Sequence, residues 1–202
     1  MAHDKNEAIN SYISDMLALE DHIDKAIRAQ LEDLKAYPDV VAELRQIHRK
    51  VEHHISDLRD LSERRSAGGM KEAVKRAGSA VLGAAAGVID LVRTEGLPKN
   101  LRDDYTALSL ASVGYVMLHT TGLSLDDMEV ADLAHQGFRD YAEAVSRLQR
   151  IIPAAVVGYF AQEGLPARQD VVPQILQTIE QVWQTQSSGA TRTDESPVSR
   201  GL

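Results

Sequence analysis

The sequence predicts an all-α protein built from two antiparallel helix hairpins, a helical crossover between them, and one extra helix at the C-terminus. Three observations predict it. Apolar residues recur three or four positions apart along long segments, the repeat with which a helix lays one stripe into a bundle core. Proline and glycine punctuate those segments at Pro38, Gly68-Gly69, Gly96-Leu97-Pro98 and Gly164-Leu165-Pro166. Aromatic residues make up only 4% of the chain, while Ala and Leu are abundant, which favours close helix packing over a β-sandwich. No stretch carries a strand signal.

The first helix is expected over residues 5–36, ending before Pro38, with Ile9, Ile13, Met16, Ile23, Ile27 and Leu34 on its inner stripe. Between Met16 and Ile23 that stripe is occupied by Glu20. A buried, unpaired carboxylate costs several kcal/mol or more, so Glu20 must be neutralised, hydrogen-bonded or bound to a metal. Pro38-Asp39 opens the second helix, whose stripe reads Val40, Leu44, Ile47, Val51, Ile55, Leu58 and Leu61. The turn between the two is short enough to make them antiparallel neighbours.

Residues 70–95 read as a helical crossover of a different kind, basic at first and then rich in Gly and Ala from Gly78 to Ile89. It is too short to cross a bilayer and is followed at once by Asp90 and Arg93, so tight packing is expected. The next helix starts near Lys99 and turns Leu101, Tyr105, Leu108, Ala111, Tyr115, Leu118 and Gly122 inward. Ser124 with Asp127 forms a cap pair before the following helix, which carries Val130, Ala134, Phe138, Tyr141, Val145, Leu148 and Ile152. Pro153 should kink or break that helix. The bundle is expected to close by residue 166. An amphipathic helix at about 168–185 within segment 167–185, and a polar, disordered tail at 186–202, complete the chain. A crossover between two hairpins is the connectivity of ferritin-like bundles.

Composition narrows function. A formal charge of −8 and a pI near 5.3 speak against nucleic acid, which needs a basic face. Without cysteine there is no disulfide, thiolate catalysis or Cys-based zinc or iron–sulfur site. No apolar run reaches the ~20 residues of a membrane span. The N-terminus lacks a signal-peptide core, and a cytoplasmic location is expected. The Gly-rich run lacks the Lys-Ser/Thr of a nucleotide loop, and no Gly-x-Ser-x-Gly elbow occurs.

With Ala18-Leu19-Glu20 on the first helix, Glu52-His53-His54-Ile55 on the second, a helical crossover, and Leu101-Arg102-Asp103 opening the next helix, residues 5–152 resemble the ferritin-like superfamily. Within it they are most similar to the bacterial YciE/YciF type of stress-associated protein. The resemblance implies a carboxylate-bridged two-metal site inside the bundle, usually iron, and a role in stress or metal homeostasis. Any enzymatic activity would be that of a metal-dependent oxidoreductase. The family pattern takes a Glu from each of two helices and a Glu-x-x-His from each of the other two. This chain has no Glu-x-x-His, no glutamate between Leu101 and Leu123, and only Asp132-x-x-His135 on the last bundle helix.

A reduced site remains open. Glu20 lies 17 residues before the first hairpin turn, about 25 Å along the helix, and Glu52 and His54 lie about as far beyond it. Tyr115 and His135 are similarly matched across the second turn. The candidate metal ligands are therefore Glu20, Glu52, His54, His119 and His135, a mixed set suited to iron, manganese or zinc. Against this stands a metal-free bundle in which Glu20 bonds to Tyr115 or His54, Glu52 is a solvated flank acid and the histidines are ordinary core or surface groups. Such a chain would be a scaffold or protein-interaction module. A homodimer is expected in either case.

Overall fold

The computed structural model describes residues 4–34, 37–66 and 96–189. It is all-α, with no strand among the described residues. The expected crossover at 70–95 and the tail beyond residue 189 lie outside them.

Helix α1 (Lys5–Asp33) begins at Asp4, whose side chain accepts from the Asn6 backbone N–H at 3.2 Å. It ends three residues earlier than expected, because the Leu34 N–H closes the last turn on Gln30 O and the Tyr37 N–H then bonds to Leu34 O. Helix α2 (Pro38–Ser66) starts on a proline, where the missing N–H would be unpaired anyway, and places Arg64 and Arg65 at its negative end. Helix α3 (Leu97–Ser124) starts two residues before Lys99. Gly96 precedes it at φ +93°, a left-handed backbone that glycine adopts without strain.

Helix α4 (Met128–Gln162) corrects one expectation and narrows another. Its cap is Asp127 alone, accepting from the Val130 N–H at 3.3 Å, while Ser124 stays in the last turn of α3. Pro153 does not break it. Buried Leu148, Ala155 and Val157 lie on both sides of the proline, and their burial outweighs the one hydrogen bond that Pro153 forfeits. Helix α5 (Val171–Gly189) begins and ends later than the expected 168–185.

Bundle stripes read from the sequence lie inside. Every stripe residue of α1 and α2 is buried, and so are those of α3 apart from half-buried Tyr105. On α4, Phe138 is exposed and Val145 and Ile152 are half-buried. Helix α1 packs on α2 and α3, α4 packs on α2 and α3, and α5 touches α4. At one end of the bundle, Arg65 of α2 donates to Asn10 and Asn6 of α1 and to Asp127 at the start of α4. At the other, Gln30 of α1 meets Asp104 of α3, and Tyr37 before α2 meets Gln162 of α4. The chain therefore leaves α2 at one end and enters α3 at the opposite end, the ordering of a bundle with one long crossover connection.

Candidate functional site

Because Glu20 continues the inner stripe of α1, helix geometry alone drives it into the core, and it is fully buried. Three side chains from the other helices surround it. Tyr115 of α3 donates its hydroxyl to Glu20 Oε1 at 2.7 Å, and Tyr141 of α4 donates its hydroxyl to Glu20 Oε2. His54 of α2 brings Nδ1 to 3.3 Å from Oε1, close enough for charge attraction but out of line for a hydrogen bond. All four helices of the bundle thus meet at one carboxylate.

The rings pack on one another as well. Tyr115 and Tyr141 stack with centroids 5.7 Å apart, and His54 lies 5.5 and 5.3 Å from them. Gly137 makes the approach possible, since a Cβ there would stand 2.5 Å from Tyr115 Cε1. Burial first, then the neighbouring Glu20 charge, push both tyrosine hydroxyls well above their usual range, so they remain donors.

From this centre a polar chain runs to the surface. His54 Nε2 donates to Asp140 Oδ2 at 3.2 Å. Asp140 also accepts from Gln136 at 3.0 Å and pairs with Lys50 at 2.9 Å, and Lys50 reaches Glu143 at 2.7 Å. Burial works against a charged His54 more than any single partner favours it. Glu20 and Asp140 together outweigh burial, and the imidazole pKa is raised. Burial likewise opposes the Asp140 charge, but Gln136, Lys50 and His54 hold its carboxyl below the usual range.

Of the five candidate ligands, the structure brings together Glu20 and His54. Glu52 is half-exposed and joins Asp24 and His48 instead, the one group of three metal-type ligands within 4.8 Å among the described residues. There His48 Nε2 lies 2.8 Å from Asp24 Oδ1 while its Nδ1 faces Glu52 Oε2 at 3.8 Å, so the acids bracket opposite edges of the ring. Arg28 pairs with both acids, at 3.1 and 3.7 Å. His119 and His135 pair with each other near the α3–α4 turn, ring centroids 5.4 Å apart, and His119 Nδ1 donates to the Ala131 carbonyl at 2.8 Å.

A carboxylate-bridged two-metal centre does not fit these residues. Both oxygens of Glu20 already accept hydroxyl hydrogens, and no second carboxylate and third donor converge on it among the described residues. Comparison of the chain with protein families, with curated proteins and with solved structures returns no match.

Sequence reasoning passed over a second buried acid. Asp104 of α3 is 2% exposed and accepts from Gln30 Nε2 at 2.6 Å through Oδ1 only. Its Oδ2 and Gln30 Oε1 are buried without partners. Burial, which the Gln30 hydrogen bond only partly offsets, raises the Asp104 pKa to about 7. The signal was available, because position 104 falls on the stripe between Leu101 and Leu108.

Proposed function

We propose that this chain is a metal-independent helical bundle acting as a scaffold or protein-interaction module, with the Glu20 cluster as an internal polar lock. One observation carries the reading: both Glu20 oxygens are taken by tyrosine hydroxyls supplied from two different helices. A lock of this kind rewards one register only, because sliding any helix by a turn would strand a buried carboxylate or a buried hydroxyl.

Elemental analysis of the full-length, untagged protein beside a Glu20→Ala variant tests the reading. No stoichiometric iron, manganese or zinc is expected in either protein. Near-stoichiometric metal in the parent that disappears from the variant would overturn it.

A second reading keeps metal binding but moves it to the surface, on the strength of the Asp24, His48 and Glu52 grouping. A zinc or manganese ion there would have to displace Arg28. In that case metal content disappears in His48→Ala and survives in Glu20→Ala.

A further inference from the structure

Between Asp104 and Asp126 the chain contains no Asp, Glu, Lys or Arg. That stretch is most of α3, and its outward side is apolar too: Leu110, Val113, Val116 and Met117 are 42%, 57%, 42% and 47% exposed. The hydroxyl residues on the helix add no charge to this side and spend their hydrogens locally. Thr106, Thr120 and Thr121 each donate back to the carbonyl four residues earlier, at 3.0, 2.8 and 2.9 Å, so their hydroxyl hydrogens are used within the helix. Ser109 does the same at 2.7 Å. A helix apolar all round is ordinarily covered on all sides. Apolar exposure of this extent marks a contact surface, and no helix among the described residues is long and apolar enough to cross a membrane.

We infer that the outward face of α3, centred on Val113, docks against the same face of a second copy of this chain. Charge decides the occupant. A face with no ions can offer a partner no ion pairs, and a charged partner group would lose its hydration there without gaining a counter-charge, so an uncharged partner surface suits it best. Among the described residues the other bundle helices carry ions along their outward sides, such as Asp24 and Arg28 on α1, Arg59 and Arg64 on α2, and Glu143 and Arg147 on α4. Helix α5 also exposes Ile175, Val182 and Trp183, but it carries Glu180 among them, so the described surface free of charge is α3 itself. Two chains of formal charge −8 also repel through most relative orientations, and the uncharged helix is where they meet without opposing ions. A two-fold axis through the Val113 region sets the helices antiparallel, Leu110 of one copy against Met117 of its partner, a self-complementary contact. The adjoining groove of about 980 Å³, between the Tyr105 and Ser112 side of α3, α4 and Trp183 of α5, widens the footprint. The inference does not depend on whether the chain binds metal.

The test is sedimentation equilibrium of the full chain and of Val113→Glu and Met117→Lys, two substitutions at exposed positions that the fold tolerates. The native chain is expected to be a dimer whose affinity does not fall as salt is raised, because its contact holds no ion pairs and salt screens the repulsion between the two negative chains. Each variant is expected to dissociate at least about tenfold more readily, since a buried unpaired charge is costly. Far-UV circular dichroism should show all three equally helical. Because the chain has no cysteine, Val113→Cys provides a second readout: it should oxidise to a disulfide-linked dimer, and Glu52→Cys on the charged side should not. A monomeric native chain overturns the inference, including the case in which residues 67–95 of the same chain cover α3. So does a dimer that the two charges leave unchanged.

Discussion

Among the described residues two acids are buried in this bundle, and they are housed in opposite ways. Glu20 sits where α1, α2, α3 and α4 meet, and each of its oxygens accepts a hydroxyl hydrogen. Asp104 sits nearer one end, between α1 and α3, with one oxygen held by Gln30 and the other facing no donor. Both interrupt an apolar stripe at helical spacing, so the helices bury them with equal force. The difference lies in what the neighbouring helices supply at that level. Glu20 is a cross-link, whereas Asp104 is a strain that the bundle tolerates by keeping the acid protonated up to neutral pH.

Removing the acceptor of the first cluster should cost most. Glu20→Ala leaves two buried hydroxyls and His54 facing a cavity, and is expected to lose about 3–5 kcal/mol in urea unfolding at pH 7. A loss below about 1 kcal/mol, the net worth of a single ordinary hydrogen bond, would show that Glu20 cross-links nothing.

The second acid predicts the opposite sign. The folded-state pKa of Asp104 is raised, so folding binds a proton, and its contribution falls as pH climbs from about 4, the unfolded value, to about 7. Each tenfold difference in proton affinity between the folded and unfolded chain is worth about 1.4 kcal/mol. Asp104→Asn should therefore raise stability at pH 8 by up to about 4 kcal/mol and change little at pH 4. His54 adds to the same slope. Its raised pKa gives stability that is complete below its ordinary value of 6.5 and is lost as pH rises through the folded value. A native chain more stable at pH 8 than at pH 5 would contradict both assignments.

Smaller changes resolve the parts of the lock. Tyr115→Phe and Tyr141→Phe should each cost about 1–3 kcal/mol, and the double variant less than their sum, because the first loss already loosens the shared carboxylate. Strict additivity would show that the two hydroxyls do not act on one group. Glu52→Gln should lie within about 0.5 kcal/mol of the parent, as its side chain is half in solvent.

Much of this was legible in the sequence. Stripe spacing located the inward faces of α1, α2 and α3, and it marked Glu20 as the residue needing an explanation. It also put Tyr115 and His54 among the possible partners. Tyr141 was on its stripe but its hydroxyl was not matched to Glu20, because relative height across four helices depends on turn geometry and helix offset. The same gap let Glu52, His119 and His135 be imagined at the level of Glu20, when Glu52 sits with Asp24 and His48 and the other two histidines pair near the α3–α4 turn. Asp104 was missed for a different reason: it follows Asp103 directly, and a pair of adjacent acids near a helix start reads as solvated. At Pro153, packing on both sides carries the helix through the proline.

Thermal melting of the metal-free full chain, with manganese, anaerobic ferrous iron or zinc added in turn, tests most directly whether Glu20 belongs to the tyrosines. No ion is expected to raise the melting temperature through Glu20, so that the parent and Glu20→Gln respond alike. A rise in the parent that is absent from Glu20→Gln would contradict it and return the bundle centre to metal chemistry.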